Sequence, residues 1–350
     1  MTFQTLARRV RNPGLPLGLR YVALRSALEY YRRLGYHASW SFITGTDARK
    51  PRPLDEPGLL NALERLETSR NAWLVEMEAF AERRTVLKRE HGIPADREET
   101  RYRQGRRWSG PDAHAATVVA VAQQWRLDRP YAAAALMEPF APLEQELSGL
   151  VESYLGSGLD AQALRRLPAL HRDIDNVRRD HVRNYHLRHP TARLGKVAEL
   201  IRYEVLPLVR RGWVGDAERI ADIFWAARGR MTYLPDLYTF DQTRWWIEHV
   251  MAPQSELWIA ERRGVPVGFA ALNGRWLDHL YIEPAHQGRG IGEALLARAK
   301  RRRPELDLRV FEQNHGARAF YARQGFSRIG SGDGSDNEER LPDLHLRWRR

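Results

Sequence analysis

The chain has 350 residues, 43% of them hydrophobic and 29% charged, a balance that excludes a disordered protein and leaves room for two domains. It contains no cysteine, which excludes disulfides, thiolate metal sites and a cysteine nucleophile. Net charge is +12, and only four of the 56 basic residues (Lys50, Lys88, Lys196, Lys300) are lysines; the excess is spread along the chain, which suits a solvated basic surface or affinity for a polyanion.

No apolar run approaches the roughly 18 residues of a membrane span. Pro13, Gly14, Pro16 and Gly18 interrupt the stretch after Arg8, Arg9 and Arg11. Neither a secretory leader nor a membrane partner is therefore expected, and the expected location is cytoplasmic. Residues 1–200 predict a mostly α-helical domain of unknown role. Tyr21, Leu24, Leu28 and Tyr31 share a helical face, and a proline-rich break follows at Pro51, Pro53 and Pro57. A long helix is expected over about 56–91. Leu59, Leu63, Leu66, Arg70, Trp73, Met77, Phe80, Arg84 and Leu87 recur there at steps of four and three. That seam packs within its own domain or, alternatively, forms a homodimer arm.

Further helices are expected near 112–126, 139–155, 160–167 and 169–188. The segment Arg101-Tyr-Arg-Gln-Gly-Arg-Arg107 followed by Trp108 mixes basic and aromatic residues as nucleic-acid surfaces do, and as ordinary loops also do. His171, His181, His186 and His189 do not share one helical face, so a solvated basic helix is expected there rather than a metal centre.

From about Val205 the texture changes to alternating strands and helices. Val205 to Arg210 reads as a strand. Asp216 is expected to cap a helix carrying Ala217, Ile220, Ala221 and Phe224 on one face, and Asp241 a second helix with Phe240 and Trp245 as a hydrophobic staple. Strands are expected at Leu257–Ala260, Pro266–Leu272 and Trp276–Ile282, the last pair joined by the hairpin signal Asn273-Gly274. A helix to about Arg302, a strand Leu306–Phe311, a helix opened by Asn314 and stopped by Gly325, and strands near 326–329 and 343–348 complete a mixed α/β sheet.

The stretch Leu280-Tyr-Ile-Glu-Pro-Ala-His-Gln-Gly-Arg-Gly-Ile-Gly-Glu-Ala-Leu-Leu places glycines 288, 290 and 292 between a strand and an amphipathic helix. Glycines admit a ligand close to the backbone, and the first-turn N–H groups of the helix face outward with the positive end of its dipole behind them, an arrangement suited to phosphate. No Gly-Lys-Ser/Thr follows, so it is not a P-loop. Glu293 stands where the dinucleotide fingerprint wants glycine.

Gln287-Gly-Arg-Gly-Ile-Gly after a strand ending at Pro284 resembles the acetyl-coenzyme A pyrophosphate loop of the GNAT superfamily of N-acetyltransferases, with Gln287, Gly290 and Gly292 at the motif positions. Leu308 to Asn314 and Ala319 to Phe326 resemble the superfamily's next strand and helix. The resemblance covers about residues 205–350 and implies a GNAT-like α/β domain behind the helical one. It implies acetyl-CoA as co-substrate, no metal, and direct transfer to a primary amine in a ternary complex.

Backbone amides of Gln287, Gly288, Arg289, Gly290, Ile291, Gly292 and Glu293 would hold the pyrophosphate, with Arg289 adding charge. Leu280, Tyr281 and Ile282 would pair with the pantetheine arm as though it were an added strand, and an N–H there would polarise the thioester carbonyl. Asn314 would cap its helix and touch the coenzyme. Tyr321 would protonate the departing thiolate, its ordinary phenol pKa near 10 suiting that role. Asp278, sharing strand parity with Leu280 and Ile282, is the candidate base, with His279 on the other side. Some relatives carry glutamate where this chain has Trp276 or Arg309, which puts membership of those subgroups in doubt. Two alternatives stand beside this reading. One is a non-catalytic acyl-CoA sensor whose basic helical domain binds nucleic acid or a protein. The other is an acetyltransferase acting on an RNA-borne amine such as aminoacyl-tRNA.

Overall fold

The computed structural model describes residues 1–46, 52–127, 138–149 except 144 and 148, 161–183 except 182, and 188–350 except 302. Pro51, His186, Arg302 and most of the second half of the expected 139–155 helix lie outside these. The chain divides into two compact units: Met1–Ala79 with Arg101–Val205, and Phe80–Thr100 with Leu206–Arg350.

The first unit is helical: α1 (Phe3–Arg11), α2 (Leu17–Glu29), α3 (Tyr36–Thr44), the greater part of α4 (Glu56–His91), α5 (Arg97–Gln104, from Arg101), α6 (Ala113–Leu127), α7 (Ala161–His181) and α8 (Arg188–Val205). Its core gathers Leu24, Leu28, Tyr31 and Trp40 with Leu59, Leu63 and Leu66 of α4 and Leu194, Val197 and Ile201 of α8. Each such side chain contributes about 1.5–3 kcal/mol by leaving water. The seam of α4 thus spends its first leucines inside its own unit, and Arg70 lies over the Phe3 ring at 4.4 Å. Two of the expected helices, 160–167 and 169–188, are one helix, α7. The expected strand from Val205 starts only at Leu208, because α8 runs through Val205.

In the second unit a seven-stranded sheet has the order β1-β2-β3-β4-β5-β7-β6. The strands are β1 (Leu208–Arg211), β2 (Glu256–Arg262), β3 (Val265–Asn273), β4 (Trp276–Ile282), β5 (Glu305–Phe311), β6 (Ser327–Gly332) and β7 (Asp343–Arg349). All neighbours are antiparallel except β4 and β5. The helices are α9 (Ala217–Arg228), α10 (Phe240–Trp246), α11 (Ile291–Lys300) and α12 (His315–Arg323).

Two cores form on the two faces of the sheet. Leu295, Leu296 and Ala299 of α11 and Tyr321 of α12 pack with Ala270, Leu272, Leu306, Leu308 and Leu346 on one face. Ile220, Phe224, Ile247 and Met251 cover Ile259, Phe269 and Ala271 on the other. Along β5 and β7 the alternation is strict: Leu306, Leu308, Leu344 and Leu346 point to the α11 side.

The caps differ from expectation. Asp216 stands at the N-cap position of α9 as expected, but its side chain makes no cap bond; the carboxylate is buried against Arg210 at 2.7 and 2.9 Å and accepts from the Trp213 amide. Arg210 also holds Glu261 at 2.5 Å, so the charge of a buried guanidinium outbids a lone backbone N–H for that acid. The α10 cap is Thr239, in a reciprocal box with Gln242, and Asp241 sits in the first turn.

Candidate active site

β4 and β5 share a single register pair, Trp276 with Asp307, and then separate. Beyond that pair, one side of β4 has no strand beside it. The Glu283 amide donates to Val267 O of β3 at 2.9 Å, so by antiparallel alternation the peptide groups of Leu280 and Ile282 face the opening instead. The Gln287 side-chain amide donates to the Ile282 carbonyl across that edge at 3.2 Å.

The opening leads to the N-terminus of α11. Gly288 and Gly290 have φ of +72° and +76°, left-handed values that other residues adopt only under strain, and a Cβ at either would meet nothing within 4 Å. The Gln287 amide is taken by Pro284 O at 3.3 Å. No hydrogen bond occupies the Gly288, Arg289 or Gly290 amides among the described residues, and the first helical bond is Ala294 N–H to Gly290 O, leaving the Ile291, Gly292 and Glu293 amides at the first turn. Six of the seven candidate amides thus have no hydrogen-bond partner among the described residues. Arg289 is exposed beside them, as is Glu293. Gly292 serves a different end: a Cβ there would lie 3.0 Å from Ile282 Cδ1 and 3.2 Å from Phe320 Cζ, so its absence lets α11 seat against β4 and α12.

Asn314 accepts the Ala317 amide at 3.0 Å as the α12 N-cap. Tyr321, two turns on, is packed among Phe320 and Phe326. Burial pushes its phenol pKa well above 10, with the neighbouring Tyr281 phenol adding to the rise. The ordinary value expected from sequence therefore does not hold: the apolar surroundings that place the ring also penalise its phenolate.

Asp278 is also placed otherwise than strand parity implies. Ala271 pairs with His279 and Leu272 with Leu277, which leaves Asp278 as the extra residue of a β-bulge. The bulge shifts the alternation by one. Leu277 therefore shares a face with Leu280 and Ile282, while Tyr281 packs on the α9 side. Asp278 is exposed, with its carboxyl pKa raised by partial desolvation, and it makes no hydrogen bond or ion pair to Tyr321.

On the α9 side lies a group of residues that no local pattern announces. His279 stands edge-on to Phe224 and Trp246 at 6.1 and 5.4 Å, and Tyr281 edge-on to Phe224 at 4.7 Å. Arg228, in the last turn of α9, lies 5.4 Å over the Phe224 ring and donates to Glu339 Oε1 at 3.0 Å. Glu339 lies between β6 and β7, 111 residues away, which is why spacing could not reveal the pair.

Burial, with Arg228 second, pulls the His279 pKa from 6.5 to about 4, so the imidazole is neutral. The aromatic segment after α9 borders the group: Tyr233 packs edge-on to Phe311 at 6.2 Å, its hydroxyl buried without a hydrogen-bond partner among the described residues, and Met231 Sδ lies 4.0 Å from Asn314 Nδ2. Outside it, Leu237, Tyr238 and residues 335–338 and 340 line a surface hollow of about 500 Å³. At the two positions where some relatives carry glutamate, Trp276 stacks on His345 at 4.9 Å and Arg309 pairs with Asp343 at 3.0 Å.

The splayed parallel pair and the glycine-opened helix N-terminus lie in the part of the chain that is similar to known proteins. A family model described as an acetyltransferase (GNAT) domain matches residues 253–328. The peptidyl-lysine N-acetyltransferase YjaB of Escherichia coli K12 is 38% identical over 97 residues, 27% of this chain and 66% of that protein. The probable N-acetyltransferase Rv2775 of Mycobacterium tuberculosis is 32% identical over 117 residues, 28% of this chain and 67% of that one. The solution structure of apo YjaB is 30% identical, covers 41% of this chain and 97% of its own, and has a TM-score of 0.36. Through its C-terminal region the chain belongs to the GNAT acetyltransferase family. The aligned part spans just under two thirds of YjaB.

Proposed function

We propose that the second unit transfers an acetyl group from acetyl-CoA to a primary amine by direct attack in a ternary complex. The observation that carries this reading is the single β4–β5 pairing, which opens a backbone edge directly onto six available amides at a helix N-terminus. Those amides, Gly288 to Glu293, would hold the pyrophosphate; Arg289 adds charge to the same anion. The Leu280 and Ile282 peptide groups would pair with the amides of the pantetheine arm, with the Gln287 side chain releasing the Ile282 carbonyl. A β4 N–H at the opening would then polarise the thioester carbonyl.

The amine attacks the thioester carbon, the tetrahedral adduct collapses, and the sulfur leaves as thiolate. Tyr321 would return a proton to it. A phenol with a raised pKa is a weak acid in water, but a thiolate released into the same apolar surroundings is raised too, so the proton moves between matched partners. YjaB is named for peptidyl lysine, and a lysine side chain is accordingly the first acceptor to try. Asp278 at the bulge would order water for the amine's proton.

Gly290→Glu tests the reading. The site has open space, so the fold should survive a left-handed strain of about 1–2 kcal/mol while a carboxylate stands where the pyrophosphate would lie. Calorimetric titration with acetyl-CoA should show micromolar-range binding to the parent and none to the variant; equal affinities would remove the loop from the cofactor site.

A further inference from the structure

Part of what holds α11 comes from far upstream in the chain. Residues 80–100 belong to the second unit, yet they precede its sheet and lie outside the stretch, 253–328, that matches the acetyltransferase family model. They form a closed turn. α4 ends at Gly92, whose φ of +65° lets the Ile93 amide reach back to Leu87 O at 3.0 Å, and buried Arg83 pairs with buried Glu99 across the turn. Asp96 stands just before α5 and uses both carboxylate oxygens. Oδ1 accepts the Glu98 and Glu99 amides at 2.7 and 3.2 Å, while Oδ2 accepts from Arg298 at 2.9 Å.

Arg298 lies in the last turn of α11, and its side chain is only 11% exposed. The nitrogen that meets Asp96 also donates to Val209 O of β1 at 2.9 Å, and the guanidinium sits 4.9 Å from the centre of the Trp258 ring of β2. Glu98 adds a second carboxylate at 3.5 Å. α11 is therefore fixed at both ends, by the close seat of Gly292 on Ile282 and Phe320 and by the bonds of Arg298. Between those ends Leu295, Leu296 and Ala299 press the helix onto the sheet. Apolar contact of that kind is non-directional, whereas charge-assisted hydrogen bonds fix a direction.

We propose, resting on the acetyl-transfer reading, that Asp96 is a positioning residue for acetyl-CoA: through Arg298 it sets the tilt of α11 at which the amides of Gly288 to Glu293 converge on the pyrophosphate. Arg298 is eight residues beyond Gly290, roughly 12 Å along the helix, so Asp96 acts as a lever and touches no coenzyme atom. A segment of the otherwise unassigned first half of the chain thereby serves the cofactor site.

Asp96→Asn separates the lever from the turn. Asparagine caps a helix as well as aspartate does, so the bonds from the Glu98 and Glu99 amides survive, while an NH2 group replaces the charged oxygen that faces Arg298. In the full chain, acetyl-CoA affinity by calorimetric titration should fall roughly three- to tenfold, a fraction of the about 10²-fold that a 1 Å misplacement costs. KM for acetyl-CoA should rise in step, with kcat at saturation and KM for a lysine-bearing peptide within about twofold of the parent. Arg298→Gln should bring a similar loss, and the double variant little more, because both changes remove the same bond. If Asp96→Asn does not fold, the affinity of Arg298→Gln decides alone. A merely structural pair would lower Tm and leave the affinity of the folded protein unchanged; that result, or losses that simply add in the double variant, overturns the proposal. A parent that binds no acetyl-CoA sinks acetyl transfer itself, whereas a parent that binds, with variants of equal affinity, sinks only the role of Asp96.

Discussion

Tyr321 illustrates how one residue carries two requirements that pull against each other. Four positions from Ala317 on α12, it helps fill the core beneath β4 and β5, and that burial raises its phenol pKa. The sign is plain: a raised phenol stays protonated through the ordinary alkaline range. Tyr321→Phe should therefore lower kcat by about 10²-fold, the usual scale of a general acid, with little change in acetyl-CoA affinity. In the parent, kcat should show no loss assignable to this phenol below pH 10. A parent profile that falls near pH 9, absent in Tyr321→Phe, would contradict the burial argument. The tyrosine's place in the chain was legible from its motif. Its altered acidity was not, since that depends first on burial and then on Tyr281, both of which come only with the fold.

The element that matters most is β4, and its bulge shows where strand periodicity stops being a guide. A period-two reading puts Asp278 with Leu280 and Ile282; one unpaired residue reverses that, and nothing in the sequence between Trp276 and Ile282 marks it. The β3–β4 hairpin was legible because its chemistry is local, but the turn falls on Gly274-Arg275, one residue later than expected, with Gly274 at φ +57° and Asn273 paired to Trp276. The seat of α11 on β4 depends on Gly292, which sits 3.0 Å from Ile282 Cδ1 once a Cβ is added. Gly292→Val should overpack that contact and lower stability by about 1–3 kcal/mol, read as a fall in Tm, with acetyl-CoA affinity reduced because the helix N-terminus shifts. An unchanged Tm would show that the interface yields freely. Gly290→Glu and Gly292→Val, two residues apart, should thus fail differently, one in binding and one mainly in folding.

Across the whole molecule, the positive charge is less available than its sum suggests. Arg103 and Arg107 of the basic-aromatic segment are buried and both pair with Glu76, Arg103 at 3.4 Å. Arg106 donates to Gln124 and to Leu34 O, and Arg33 to Arg103 O and Gly105 O. These guanidiniums hold the first unit together rather than presenting a face to a polyanion. Glu76→Gln should leave a buried arginine pair short of its counter-charge and destabilise that unit by about 3–5 kcal/mol. A two-step melt, with only one transition lowered, would report it; a single unshifted transition would show that water replaces the acid.

By itself the sequence determined the mixed sheet, the glycine-opened helix and the family, because turn chemistry, strand runs and the Gln-x-x-Gly-x-Gly spacing act over a few neighbouring residues. It also placed Asn314 and Tyr321 on the right helix. Only the tertiary structure decided which acids are free and which cations are spent. Asp216 goes to Arg210, Glu76 to Arg103 and Arg107, and Glu339 to Arg228, all through contacts whose strength depends on burial. A charge's partner is set by distance and dielectric, and both come into being only when remote segments close on one another.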